Sequence, residues 1–164
     1  MSGAVGPLDL KVDPINAGVL AKLRLLDGYD FLAITADAER KLGWSSTHSA
    51  EIEKQVKQFL SLAFLDPGFY HIPELDVDEY WHRMILHTQW YAKFCDDVFG
   101  SYYHHTPEPD PAHMNQANRD RSVKLADYWF GTKWANLVRT CTQCRGPFIV
   151  SGIAPDPQTM PVLP

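Results

Sequence analysis

Basic residues, cysteines and long apolar runs are all scarce in this chain, and each shortage excludes a class of function. Fifteen Lys and Arg stand against twenty Asp and Glu, for a net charge of -5. That balance lacks the clustered positive charge on which nucleic-acid binding rests, so no nucleic-acid partner is expected. No apolar run approaches the roughly 20 residues of a membrane-spanning helix. Met1 to Pro7 has neither a basic flank nor a hydrophobic stretch, so the reading is no signal peptide, no membrane partner and a cytoplasmic location. Three cysteines form no even framework, which excludes a disulfide-stapled scaffold. Internal repeats, a Gly-rich phosphate loop, a Gly-x-Ser-x-Gly elbow and a His-Glu-x-x-His pair are all lacking. Whether the protein is an enzyme is left open by its sequence, and no catalytic residue is singled out.

What remains is 164 residues, 45% hydrophobic and 12% aromatic, enough for one domain with a true core. Residues 1–12 read as an N-terminal arm, 13–146 as a single helical domain and 147–164 as an irregular Pro-rich tail. The periodicity predicts an all-α fold, a compact bundle of about six short helices. Asp13-Pro14 opens the first, with Asp13 as cap, and Gly28 closes it. Phe31–Leu42 forms the second and ends at Gly43. Ser46 or Thr47 caps the third, whose stripe runs from Ile52 to Phe64 until Asp66-Pro67-Gly68 stops it. After an extended link at 69–76 come helices near 76–86 and 88–99, ended by Gly100. Residues 101–111 read as a loop and 112–130 as a helix broken by Gly131. A last short helix is predicted over 133–140, capped by Thr132. Phe148-Ile149-Val150 is a candidate short strand.

Chemistry concentrates between positions 78 and 105. Four of the seven histidines, His82, His87, His104 and His105, fall there. Asp78 and His82 are four apart on one helical face, so the carboxylate can hold the imidazole N–H, as carboxylates behind metal-bound histidines do. A helical hairpin can bring His82, Cys95 and a loop histidine together, a mixed donor set that zinc, iron or copper accepts. The plainer alternatives are a core-edge His82 bonded to Asp78, and Cys95 as a small buried hydrophobe. In an extended loop His104 and His105 point opposite ways, which makes a shared ion awkward. His87 and His113 read as surface residues. Asp76 and Glu79 read as first-turn acids serving the helix dipole. The aromatic cluster that includes Trp81 and Tyr91 is core, part of which can wall a pocket.

Cys141-Thr-Gln-Cys144 followed by Gly146 resembles half of a zinc knuckle and is a candidate second site. A full site needs further ligands, and none lies nearby in sequence. Unliganded thiols and a redox pair are the alternatives. A helix ending near Thr140 would leave the pair at a negative helix terminus that disfavours thiolates, making them slow nucleophiles.

Val77-Asp78-Glu79-Tyr80-Trp81-His82, the run Ile85 to Gly100 with Tyr91, Cys95 and Phe99-Gly100, and His104-His105-Thr106-Pro107 together resemble the glycine-rich domain-containing-protein-like family. Tyr128 to Trp134 is similar to a Phe-Gly-then-Trp pattern that follows there, so the likeness spans roughly residues 44–140. The resemblance implies a helical fold more than an activity. It singles out Asp78, Trp81, His82, Tyr91, Cys95, Gly100, His104 and His105. The chain departs from it at position 84, where Met84 stands in place of a second histidine, and it lacks the glycine-rich tract of longer relatives. Two functions are thus expected. The first is a small soluble zinc or iron protein with its metal on His82, Cys95, His104 and His105, and Asp78 as ligand or support. The second is a non-catalytic protein-interaction module in which the same residues form a hydrogen-bonded aromatic core and the 147–164 tail docks on a protein partner. Oligomeric state is not readable.

Overall fold

The computed structural model describes residues 6–14, 16–105 and 116–137, and the backbone of 144–145. Six helices make up the described fold: α1 (Ala17–Asp27), α2 (Leu32–Leu42), α3 (Ser46–Leu65), α4 (Leu75–Leu86), α5 (Thr88–Phe99) and α6 (Gln116–Phe130). A one-turn 3₁₀ helix, Pro7–Asp9, precedes them. Two residue-pair strands, β1 (Tyr70–His71) and β2 (Cys144–Arg145), run antiparallel with His71 in register with Cys144. The all-α expectation is met.

Helix α3 is the axis of the bundle. Its residues from Val56 to Leu65 are buried without interruption, as in a helix surrounded on every side. Each of its large side chains, such as Phe59 or Leu60, contributes about 1.5–3 kcal/mol by leaving water. Two of the polar residues buried on α3, Lys57 and Gln58, are satisfied by fixing neighbouring segments. Lys57 Nζ donates to the carbonyls of Asp27 and Tyr29, at 2.9 and 3.0 Å, and so closes the end of α1. Gln58 donates to the Leu8 carbonyl at 2.9 Å and accepts from Thr132 Oγ1 at 2.8 Å. The first residues are therefore docked: Leu8 and Leu10 are buried in the core, and the Lys11 N–H donates to the Trp129 carbonyl at 2.7 Å.

Several boundaries differ from the sequence reading. Asn16, not Asp13, caps α1, its Oδ1 accepting from the N–H groups of Gly18 and Val19. Ser45, not Ser46 or Thr47, caps α3. Three adjacent hydroxyl residues qualify by type, but Ser45 has the extended backbone a cap needs, and its Oγ accepts from His48 N–H at 3.2 Å. The helix predicted from 133 does not form in its described part. Residues 131–136 are irregular, Leu75 N–H donates to the Asn136 carbonyl at 2.9 Å, and Leu137 bridges to Glu74. Thr132 spends its hydroxyl on Gln58 rather than on a cap. Burial of Trp134 against Phe59 and pairing with the start of α4 outweigh a weak local helix preference. Residues 112–115, 138–143 and 146–164, with the expected strand at 148–150 and the tail, lie outside the described residues.

Candidate metal centre

Two adjacent elements and the loop after them build the site. Helix α4 begins at Leu75 and carries Asp78 in its first turn, where the exposed N–H groups favour a negative charge. His82 follows one turn later on the same face. Helix α5 then stops at Gly100, which takes the left-handed conformation at φ 71° and turns the chain back across α4. That return delivers His105. Its Nε2 lies 2.9 Å from Asp78 Oδ1, and His82 Nδ1 lies 3.4 Å from Asp78 Oδ2. The two imidazoles face each other with ring centres 4.5 Å apart. One ligand atom from each of Asp78, His82 and His105 falls within 4.8 Å of the other two. Asp78 and His105 are buried, their side chains 5% and 6% exposed, whereas His82 stands at the rim at 43%.

An aromatic floor holds this group. The Trp81 ring lies 4.5 Å from that of His105. Trp81 Nε1 donates to the Tyr91 hydroxyl at 2.9 Å, and that hydroxyl donates to the Tyr103 carbonyl at 2.5 Å. Tyr103 is two residues before His105, so α4 and α5 jointly anchor the segment that carries the imidazole. Trp81 and Tyr91 are fully buried. Burial pushes the Tyr91 hydroxyl well above the ordinary tyrosine range, so it remains a donor at any working pH.

Of the residues expected as ligands, the fold thus brings together His82 and His105, with Asp78 as a third donor rather than only a support. Cys95 and His104 are not among them. Cys95 lies on the α5 face that also buries Tyr91, Phe94 and Val98, and is fully enclosed. Its polar surroundings are the Tyr91 hydroxyl and the Tyr103 backbone, at the far end of the chain of contacts that starts at His105. Burial pushes its thiol upward in pKa, against these two hydrogen-bonding contacts. It is a core residue. His104 points away from its neighbour, exposed, its ring 4.8 Å from Tyr102. His87 pairs with Asp37 at 3.3 Å instead of replacing a ligand at position 84. Cys141 and His113 lie outside the described residues. Cys144 belongs to β2 rather than to the end of a helix, so the helix-terminus argument for slow thiols does not apply to it.

A family model described as UCP032817-like matches residues 21–142. The chain belongs to the UCP032817-like family. No curated protein and no solved structure matches it. The stretch shared with the family contains Asp78, His82 and His105 along with the helices that present them.

Two histidines with buried or acidic partners escaped the sequence reading. His48 on α3 lies 2.9 Å from Asp76, tying α3 to the start of α4. His71 on β1 is enclosed, its Nε2 3.2 Å from both the carbonyl and the carboxylate of Asp66. Arg121 grips that carboxylate through Nε at 2.7 Å and through Nη2. His48 and Asp76 are 28 residues apart, and Arg121 reaches Asp66 across 55, so no local spacing marks those contacts; His71 and Asp66 are only five apart but lie on either side of the turn that ends α3.

Proposed function

We propose that this protein binds one divalent transition metal, zinc or iron, through Asp78, His82 and His105. The observation that carries this reading is the convergence of two imidazoles and one carboxylate within 4.8 Å, with the side chains of Asp78 and His105 only 5% and 6% exposed. Two nitrogens and one oxygen suit zinc in open sites and iron in the two-histidine, one-carboxylate arrangement. At a tetrahedral zinc with bonds of about 2.0–2.1 Å, ligand atoms stand roughly 3.3 Å apart. The Asp78–His82 separation of 3.4 Å already matches that spacing. The proton that His105 Nε2 directs at Asp78 would have to leave that nitrogen, the neutral ring carrying it on Nδ1 instead, for Nε2 to bind the metal. Three protein ligands leave further coordination positions on the His82 side, which faces solvent. A water there could be activated for hydrolysis, or dioxygen could bind if the metal is iron. The likeness to the glycine-rich domain-containing-protein-like family belongs to this proposal, since its Asp, Trp-His and second loop His positions coincide with the three donors.

Metal content of untagged protein, grown with zinc or iron supplied, tests the reading. Wild type should exceed the His82→Ala/His105→Ala variant by about one equivalent, with circular dichroism unchanged. Equal metal content in the two would overturn it. The second reading, an interaction module, is favoured by one feature: Trp81, Tyr91 and Tyr103 form a continuous buried hydrogen-bonded chain. On that reading the Asp78–His105 bond serves only to fasten the loop, and His105→Gln would keep both fold and function.

A further inference from the structure

Building on the metal reading above, with iron as the ion, we propose that Trp81, Tyr91 and Tyr102 form an electron path from the metal centre to the surface. Along it, an oxidising equivalent raised at the centre is drawn off to the exposed Tyr102 phenol. The path starts at the ligand His105, whose ring lies 4.5 Å from that of Trp81. Trp81 Nε1 donates to the Tyr91 hydroxyl at 2.9 Å. The Tyr91 ring meets that of Tyr102 edge-on, with centres 5.2 Å apart. Trp81 and Tyr91 are wholly enclosed, whereas Tyr102 is 44% exposed. Each step joins neighbouring groups, and the chain leads from a buried ligand to solvent.

The three side chains differ in how they bear the loss of an electron, and that difference sets the direction. An indole can give up an electron and keep its N–H. A phenol, with a pKa of about 10, is neutral at working pH and holds an oxidation only if its proton leaves. The Tyr91 proton points at the Tyr103 carbonyl, 2.5 Å away, which accepts a hydrogen bond but is not a base. Tyr91 therefore passes the oxidation on without keeping it. Tyr102 has water beside it to take the proton, so the oxidation comes to rest there. Tyr103 also flanks Trp81, with ring centres 5.4 Å apart, but at 2% exposure it is cut off from solvent. Cys95 is enclosed too, its polar contacts being the Tyr91 hydroxyl and the Tyr103 backbone.

With hydrogen peroxide as the oxidant the step balances. Peroxide takes up two electrons and two protons and becomes two waters. Iron(II) gives one electron and becomes iron(III), and Tyr102 gives the other. The phenol proton passes to solvent, which supplies the protons that peroxide consumes. Drawing the second electron from Tyr102 spares His82 and His105, the side chains that would touch the oxidant.

Iron(II)-loaded full-length protein, mixed with an equimolar amount of hydrogen peroxide and frozen, tests the path by electron paramagnetic resonance. Wild type should give a tyrosyl radical signal that narrows when the tyrosine rings are deuterated. A nitroso spin trap, which needs no substitution, should leave its adduct on Tyr102 in peptide mass spectra. Tyr102→Phe, at an exposed position, should keep its iron, lose most of the signal and show more oxidised His82 and His105. Trp81→Phe loaded with the same iron should lose the signal as well. Lack of a tyrosyl signal in wild type, an unchanged signal in either variant, or an adduct on Tyr91, Cys95 or Tyr103 in place of Tyr102 would overturn the path. The His82→Ala/His105→Ala variant separates this failure from that of the metal reading. If it holds as much iron as wild type, the metal site falls and the path with it. Iron held by wild type alone, with no radical on Tyr102, overturns only the path.

Discussion

Replacing Tyr91 by Phe removes one oxygen and should reach both stability and the candidate metal centre. The hydroxyl accepts from Trp81 Nε1 at 2.9 Å and donates to the Tyr103 carbonyl at 2.5 Å. All three residues are essentially excluded from water. In the variant the Trp81 N–H is a buried donor whose partner is gone, at about 1–3 kcal/mol, and the bond to Tyr103 is lost, at about 0.5–1.5 kcal/mol. The sum, about 2–4 kcal/mol, is a large share of the roughly 5–15 kcal/mol that holds a domain folded. With a urea slope near 2 kcal/mol/M, the middle of the usual range, the midpoint should fall by about 1–2 M at unchanged slope. Because Tyr103 precedes His105 by two residues, metal affinity should weaken as well. The loss should also be non-additive. In a Trp81→Phe background, where no indole donor remains, Tyr91→Phe should cost less by about 1 kcal/mol. A destabilisation below about 0.5 kcal/mol, or strict additivity in the cycle, would refute the claim that this hydroxyl links α4 to the loop.

Cys95→Ala should leave the metal bound through His82 and His105 intact, and metal loss in that variant would return Cys95 to the ligand set. In a chain lacking Cys141 and Cys144, iodoacetamide should modify Cys95 slowly until urea unfolds the protein; equal native and unfolded rates would contradict its enclosure. Asp37 is buried, which pushes its carboxyl pKa up, but the hydrogen bond and charge of His87 and the charges of Arg40 and Arg83 together hold it below the ordinary 3.8. A carboxylate with a depressed folded pKa stabilises above the unfolded value and loses that contribution as pH falls through the folded one. The stability gap between wild type and Asp37→Asn, followed by urea midpoints, should therefore be full at neutral pH and close below pH 3.8; a gap that persists there would contradict the assignment. Met84→His, which restores the histidine of the resembled family, should destabilise the fold by about 1–3 kcal/mol without raising metal affinity, because position 84 is fully buried.

The helical plan was legible because it rests on local signals. Apolar stripes run at helical spacing, and glycines at 28, 43, 100 and 131 mark where four of the helices end, each as the structure has it. The errors fall where several residues could do one job, or where a distant segment decides. Ser45, Ser46 and Thr47 are equivalent as letters, and only the backbone conformation selects Ser45. Residues 133–137 carry no strong preference of their own, and the edge of α4 recruits them. The arm looks aperiodic because two residues, Leu8 and Leu10, dock by way of Gln58, 50 residues away from Leu8.

The candidate site divides along the same line. Asp78 and His82 were readable as a pair because they are one helical turn apart. Which loop histidine joins them depends on the turn at Gly100, and alternation along the extended segment then sends His105 inward and His104 out. Cys95 looked eligible because helix α5 follows α4 directly, but its stripe is the one that packs the core. The helical period also explains position 84. Two residues beyond His82 is a rotation of roughly 200° about the axis, so Met84 enters the core with Val77 and Tyr80 while His82 stays at the rim. A donor there would face away from Asp78, and the imidazole that meets Asp78 and His82 comes instead from the loop, as His105.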